Sequence, residues 1–161
     1  RILSSAASDV YKRQPMRHIK KSDVLGSHCE GSKTCCSSDN EAAHKCYRSN
    51  CYHTSKLAAN YLNLNADDWM MTFQSRVSII SPEWLKPYTD KELNKLPGEN
   101  IKRVGVACPS FIADCLETLE EINMRGREDF IEAGGTSFTY IPCLNDDSRF
   151  ISALEKIISS Q

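Results

Sequence analysis

Three short stretches rich in apolar and β-branched residues, 69–74, 101–107 and 138–141, alternate with segments patterned as helices, and this alternation limits the available folds most sharply. Strands separated by helices cannot close as tight hairpins, so they pair in parallel while the helices carry the chain back. The expected fold class is therefore α/β, a parallel sheet with short turns. In such sheets pockets open at the carboxyl ends of the strands, and Cys108-Pro109-Ser110 follows one of those ends directly.

The helix after that turn is predicted from about Ile112 to Ala133, with Gly134-Gly135 as its stop. At 3.6 residues per turn Asp114, Glu117 and Glu121 fall on one stripe, and Leu116, Leu119 and Ile122 on the opposite, core-facing one. Like charges at i,i+4 cost a few tenths of a kcal/mol even when exposed. Read from the residues alone, the stripe is a solvated acidic face, relieved by the helix N-terminus and by Arg125 four residues after Glu121. A second helix is predicted over residues 42–62, with Tyr47, Cys51, Leu57, Ala58 and Leu62 turned inward. Thr89 or Asp90 is expected to cap a short helix ending before Pro97-Gly98. A last helix capped within 145–147 should bury Ile151, Leu154, Ile157 and Ile158.

At 161 residues and 40% hydrophobic content the chain can bury a core, and a formal charge of −1 gives no nucleic-acid footprint. No apolar run is long enough to cross a membrane. Of eight cysteines, five crowd into Cys29-x5-Cys35-Cys36-x9-Cys46-x4-Cys51. The helical remainder does not resemble a disulfide-stapled miniprotein, so a reducing compartment is expected. Thiolates at this density select zinc or an iron–sulfur cluster, and the spacing matches neither plant-type ferredoxins nor paired CxxC ribbons. His28, His44 and His53 are close enough to serve in a zinc site, although each also reads as a solvated histidine.

The segments FQSR, EWLKPYTD, CPSFIADCLETLEEI and YIPCLND occur in an order and spacing that resemble the C-terminal part of ferrochelatases, the enzymes that insert ferrous iron into a porphyrin to make haem. The resemblance spans residues 16–161. It implies one lobe of a doubly wound, two-lobed chelatase fold, truncated on its N-terminal side, with a porphyrin as partner and ferrous iron as substrate. By the same resemblance Glu117 is the catalytic carboxylate, with Asp114 and Glu121 along an acidic line that conducts protons or metal. Cys115 stands where some members have His, and it reads as a small core residue. Trp84 would line the porphyrin pocket or else anchor its loop, and Arg76 would steer propionates or balance charge locally. The cysteine loop resembles the insertion of a subset of bacterial members that carry a [2Fe–2S] cluster, which makes Cys29, Cys35, Cys36 and Cys46 its ligands and Cys51 a thiol near the cleft or core, or else a ligand in place of Cys46. A bacterial cytoplasm is the implied location, with peripheral membrane contact and oligomeric state left open.

Two departures stand out. Residues 1–14 end in DVYKRQ, which resembles a translated sequencing-adapter end, so this segment is expected to stay outside the packed fold. It occupies the place of the family's His-Gly-x-Pro motif, of which only Pro15 is matched, and His18 belongs to the segment that follows. The loop between Arg76 and Trp84 is also two residues longer than the usual pattern, which leaves the path of residues 77–83 open. Two other readings use the same residues. One is a stand-alone cysteine-rich metal-binding or redox-sensing module. The other is a related chelatase for another divalent metal, because carboxylates do not by themselves choose iron.

Overall fold

The computed structural model describes residues 5–12, 14–26, 33–74 and 83–160. Among these, strands β1 (Ser5–Lys12), β2 (Trp69–Gln74), β3 (Arg103–Ala107) and β4 (Ser137–Tyr140) form a single sheet of order β2-β1-β3-β4 in which every pair is parallel. Between β1 and β2 lie α1 (Met16–Lys21), α2 (Lys33–Cys36), α3 (Glu41–Lys45) and α4 (Tyr47–Tyr61). Helix α5 (Thr89–Lys95) and a 3-10 turn, Leu96–Glu99, connect β2 to β3. A π-helical segment, Glu117–Gly126, runs into α6 (Arg127–Glu132) before β4, and α7 (Ser148–Ser159) closes the chain. The chain leaves β1 toward β2 on one side and leaves β3 toward β4 on the other. The connections thus diverge between β1 and β3, where α/β sheets open their crevice.

Both faces of the sheet are covered, as the doubly wound expectation requires. Val10, Leu93, Leu96, Val104, Val106, Ile122, Phe130 and Phe138 form one core cluster, which gathers the sheet under α5, the π segment and α6. Ile19, Cys51, Met71, Phe73 and Leu85 form the other, under α1 and α4. The period-2 alternation of β2 explains the division. Phe73 enters the second cluster, while its neighbour Thr72 turns the other way and accepts a 3.0 Å hydrogen bond from Thr89 Oγ1 on α5. Burying a phenylalanine contributes about 2–3 kcal/mol, and Phe73 and Phe130 are both fully buried.

Several expectations need correction. The N-terminal segment is expected to stay outside the fold, but its described residues Ser5–Lys12 pair with β2 from Ala7 to Lys12 and with β3 from Ser5 to Asp9, and Val10 is completely buried. A parallel ladder is built from main-chain groups, so any extended segment can fill the slot between β2 and β3, and one apolar side chain is enough to seat it. The helix expected over 42–62 breaks at Cys46, whose backbone is extended, and α4 buries Arg48, Ser49, Cys51, Ser55 and Ala59 while Leu57 and Leu62 stay exposed. Its buried face is polar because it grips α2 through hydrogen bonds. Thr89 does not cap α5, since its hydroxyl is given to Thr72, and the helix continues as 3-10 through Pro97. Ile151, Leu154, Ile157 and Ile158 keep an apolar stripe, yet α7 buries none of them among the described residues.

The stop at Gly134-Gly135 is where the sequence places it. Gly134 takes φ +100°, which a side chain resists, and a Cβ on Gly135 would lie 2.2 Å from the Phe130 ring. If β1 belongs to the core, Val10→Ala should lower the unfolding free energy by about 1–3 kcal/mol in a urea titration. An unchanged midpoint would return the segment to the outside of the fold.

Candidate functional site at the carboxyl rim of the sheet

The rim collects the ends of β2, β3 and β4. Gln74, the last residue of β2, is buried, and its Nε2 donates to the Glu117 carbonyl at 3.2 Å, which ties the strand end to the start of the π segment. Cys108 follows β3, is buried, and accepts at its carbonyl from Phe111 N at 2.9 Å, so the chain turns at once. The helix begins at Glu117 and not near Ile112, which leaves Asp114 in the loop before it.

Asp114 is the most heavily bonded carboxylate of the rim. Its Oδ1 accepts from the Tyr140 hydroxyl, from Thr118 Oγ1 at 3.2 Å and from Cys143 N at 3.3 Å, and its Oδ2 accepts from Asn145 Nδ2 at 2.8 Å. Asn145 returns the bond, accepting from Asp114 N at 2.8 Å, and holds the left-handed backbone (φ 48°) that asparagine tolerates. Burial works to raise the Asp114 pKa, but the bonds from Asn145, Tyr140 and Cys143 outweigh it and hold the carboxyl well below the usual carboxylate range. Burial, and then the bond to Asp114, push the Tyr140 hydroxyl well above its ordinary value. The two form a carboxylate–phenol pair that keeps its protons placed across ordinary pH.

Glu117 and Glu121 are half-buried on the π segment. The predicted apolar stripe is only partly right, because Ile122 is buried whereas Leu116 and Leu119 are exposed. Wider turns shift the register, and they also move the compensating cation. Arg125 pairs most closely with Glu120, at 2.6 Å and the i,i+5 spacing of a π-helix, while the Glu121 charge also acts on it from four residues back. Arg127, just past the segment, donates to the Phe138 carbonyl at 2.8 Å and stacks 5.2 Å from that ring, locking the helix onto β4.

Trp84 is half-buried and bridges to Pro15, with Leu85 N donating to the Gln14 carbonyl and Met16 N to the Glu83 carbonyl at 2.9 and 2.8 Å. Residues 83–85 are thereby tied to the segment leaving β1. Arg76, Cys29 and the loop path over 77–82 lie outside the described residues.

Cys35, Cys36 and Cys46 line one small hollow together with Ile19, Asp23 and Ala43. Arg48 Nη1 donates to Cys36 Sγ at 2.8 Å, and the adjacent Ser49 hydroxyl donates to the Cys36 carbonyl at 2.9 Å. Burial pushes the Cys36 thiol up to about 11 against the pull of Arg48. Cys51 packs in the core beside Phe73 and Met71, and burial raises it to about 12. Among the described residues no three ligating side chains already converge on one point. Three soft sulfur donors, those of Cys35, Cys36 and Cys46, share this hollow, with a buried guanidinium beside one of them.

Comparison with known proteins decides the family, since the ferrochelatase family model matches residues 14–161. The chain belongs to the ferrochelatase family. A ferrochelatase of Opitutus terrae is 44% identical over 144 residues, covering 89% of this chain and 41% of the relative. Those of Stutzerimonas stutzeri and Azotobacter vinelandii are 41% and 42% identical, covering 90% and 89% of the chain and 42% of each relative. The chain therefore spans about two-fifths of the length of the curated relatives it matches. In structure it is similar to a putative cobalamin (vitamin B12) biosynthesis CbiX protein of Marinobacter aquaeolei VT8, with TM-score 0.52 and 11% identity over 97% of this chain and 95% of that one. That likeness concerns the fold.

Within this ferrochelatase family member, sequence reading overlooked the residues that hold others in place. Tyr140, Thr118 and Asn145 around Asp114, Gln74 on Glu117 and Arg48 on Cys36 reveal their roles only once distant segments meet. The sole advance sign was Asn145, an asparagine in a turn, and it grips Asp114 while Asp147 makes the cap on α7. Because the folded pKa of Asp114 is depressed, its contribution to stability is fully present above the ordinary carboxylate value near ~4 and is lost as pH falls through the lower folded value. Asp114→Asn should therefore cost about 1–3 kcal/mol at pH 7 and flatten the acid limb of the stability curve. Tyr140→Phe should reproduce part of that loss. Urea midpoints from pH 3 to 7 measure both, and an unchanged acid limb would remove Asp114 from its place as the anchor of the rim.

Proposed function

We propose that these residues form the metal-handling lobe of a ferrochelatase, which inserts ferrous iron into protoporphyrin IX to form haem in a bacterial cytoplasm. The match to the family over residues 14–161 carries the reading, and the placement of two half-buried carboxylates at the sheet's carboxyl rim supports it. Metal insertion requires two pyrrole protons to leave while the metal sheds water. Carboxylates serve both needs, since hard oxygens hold a divalent cation loosely and also accept protons. Glu117, fixed through its carbonyl by Gln74, takes the pyrrole proton, and Glu121 lies four residues further along the same segment as the next acceptor. Asp114 belongs to the same acidic line. With its oxygens filled by four donors, its part is to hold the loop that leads into Glu117. Trp84 offers the macrocycle a flat apolar wall, and Arg76 meets a propionate.

Cys29, Cys35, Cys36 and Cys46 would hold a [2Fe–2S] cluster of the kind found in part of the family. Such a cluster supplies a one-electron redox centre and a staple for the loop. Among the described residues no helix is long and apolar enough to cross a membrane, and any membrane contact would be peripheral. Because the chain spans 41–42% of its relatives, the cleft needs a second wall, and we infer that the chain alone turns over slowly.

Two assays test these readings. The isolated chain should incorporate iron into protoporphyrin near the uncatalysed rate, whereas the chain fused to the remaining N-terminal part of the Opitutus terrae relative should turn over. Glu117→Gln in that fusion should lower kcat by about 10²–10⁴-fold with the fold intact by circular dichroism. Normal turnover by Glu117→Gln would overturn the assignment of the base. Iron and sulfide analysis after anaerobic purification should give two of each per chain, lost on Cys35→Ser, Cys36→Ser or Cys46→Ser and kept on Cys51→Ser. Zinc without sulfide would replace the cluster with a zinc site.

A further inference from the structure

The last helix carries an apolar face that nothing in this chain covers. On α7 (Ser148–Ser159), Ile151, Leu154 and Ile158 stand at i, i+3 and i+7 with Ile157 beside them, so four large apolar side chains share one side. All four are exposed, from 37% at Leu154 to 75% at Ile158, and neither core cluster contains a residue of α7. A helix of 12 residues is marginal in water on its own backbone bonds, and its stability comes from packing such a face against another apolar surface.

The root of α7 locates that surface. Asp147 caps the helix by accepting from Arg149 N at 2.9 Å. Two residues earlier, Asn145 donates its N–H to the Ile112 carbonyl at 2.9 Å and its side-chain amide to Asp114 Oδ2 at 2.8 Å. The helix therefore springs from the carboxyl rim, and the first of these bonds brings Leu144 and Ile112 together at its root, both of them exposed. The rim is the mouth of the cleft, and more than half the length of each curated relative lies outside the match, which spans 41–42% of it.

We propose that α7 is a docking arm for the part of the ferrochelatase polypeptide that this chain does not span: its Ile151, Leu154, Ile157 and Ile158 face, continued by Ile112 and Leu144, seats on an apolar face of that part and joins the two walls of the cleft. The inference rests on the reading that the cleft needs a second wall. The charges of α7 disfavour a bilayer as occupant. Arg149 is paired with Asp147 at 2.8 Å and Lys156 is offset by Glu155 beside it, so the helix lacks the basic polar face of an interfacial one. Size disfavours a second copy. One face of such a helix, about 18 Å by 10 Å, falls well short of the roughly 800 Å² per partner of a stable complex. Within one polypeptide a small face is enough, because the partner is held at high effective concentration.

Hydrogen exchange read by mass spectrometry tests the proposal in the full chain and in the chain fused to the remaining N-terminal part of the Opitutus terrae relative. Residues 148–159 should exchange about a hundredfold more slowly in the fusion, as expected for burying two or more large apolar side chains. The double substitution Leu154→Gln and Ile158→Gln, which keeps good helix formers, should return the fusion to the rate of the chain alone and leave the chain alone unchanged. Equal exchange in the two wild-type proteins overturns the proposal. So does slow exchange in the chain alone that disappears on dilution, which assigns the face to a second copy, or slow exchange that appears only with added lipid vesicles. Iron incorporation separates this inference from the reading beneath it. A fusion that turns over with α7 unprotected overturns the docking alone, and one that protects α7 without turnover overturns the second-wall reading alone.

Discussion

The whole arrangement depends on the parallel ladder that runs β2-β1-β3-β4. Parallel strands all point one way, so their carboxyl ends meet on a single rim, and every element that follows a strand must start from that rim. Gln74, Cys108 and Tyr140 reach the site because they end β2, follow β3 and end β4. None of the three positions requires a special local conformation. The cost falls on β1, which sits between β2 and β3 and must satisfy donors and acceptors on both sides; without it two interior edges would be left unpaired.

Beyond the apolar contacts of Cys108 and Phe111, the rim is held by polar bonds. The loop from Cys108 to Leu116 is seated by buried Cys108 and by Phe111, which packs against the core, but its later residues Ile112 and Leu116 are exposed and bury little. The Asp114 knot fixes their path by joining the loop to β4 and to the turn after it through Tyr140, Cys143 and Asn145. A charge-assisted bond contributes about 1.5–3 kcal/mol, roughly twice a neutral one, which suits a carboxylate to anchor the part of a loop that buries little apolar surface. The π segment follows from the same economy. Its wide turns place Arg125 against Glu120 and set Gly126 so close to Leu93 that an added Cβ would lie 3.0 Å from Cδ1. A side chain at that position would force the buried Leu93 methyl to give by a few tenths of an ångström.

The sequence makes the strands legible because period-2 and short apolar runs are local signals: β2, β3 and β4 lie where residues 69–74, 101–107 and 138–141 place them, to within two residues. The cap at Asp147 and the stop at Gly134 are local as well. Helix faces were harder to read. Leu57, Leu62, Leu116 and Leu119 have the periodicity of core residues and are exposed, while Arg48, Ser49 and Thr118 are buried. Periodicity assumes 3.6 residues per turn and an apolar neighbour, and both assumptions fail here. The π segment turns more slowly, and α4 meets the polar backbone of α2. β1 was misread for a third reason: its foreign-looking side chains say little about a ladder made by the main chain.

The cysteine hollow and the acidic rim are joined by a continuous run of packed elements. Arg48 and Ser49 hold Cys36, Cys51 one turn further along α4 packs with Phe73, and the next residue, Gln74, holds the Glu117 carbonyl. Contiguity alone does not transmit a change; that requires an element with two arrangements that both sites bias. β2 is poorly suited to that role. It is paired with β1 along Trp69–Gln74 and buried from Met71 to Gln74, so moving it would break ladder bonds and core contacts together. The short helices α2 and α3, of four and five residues, join no sheet; they are held by burial of Cys36, Ala42 and Ala43, by side-chain bonds from α4 and by the cap from Asn40. Along this run β2 is thus fixed by main-chain ladder bonds as well as by burial, whereas α2 and α3 are fixed by burial and side-chain bonds.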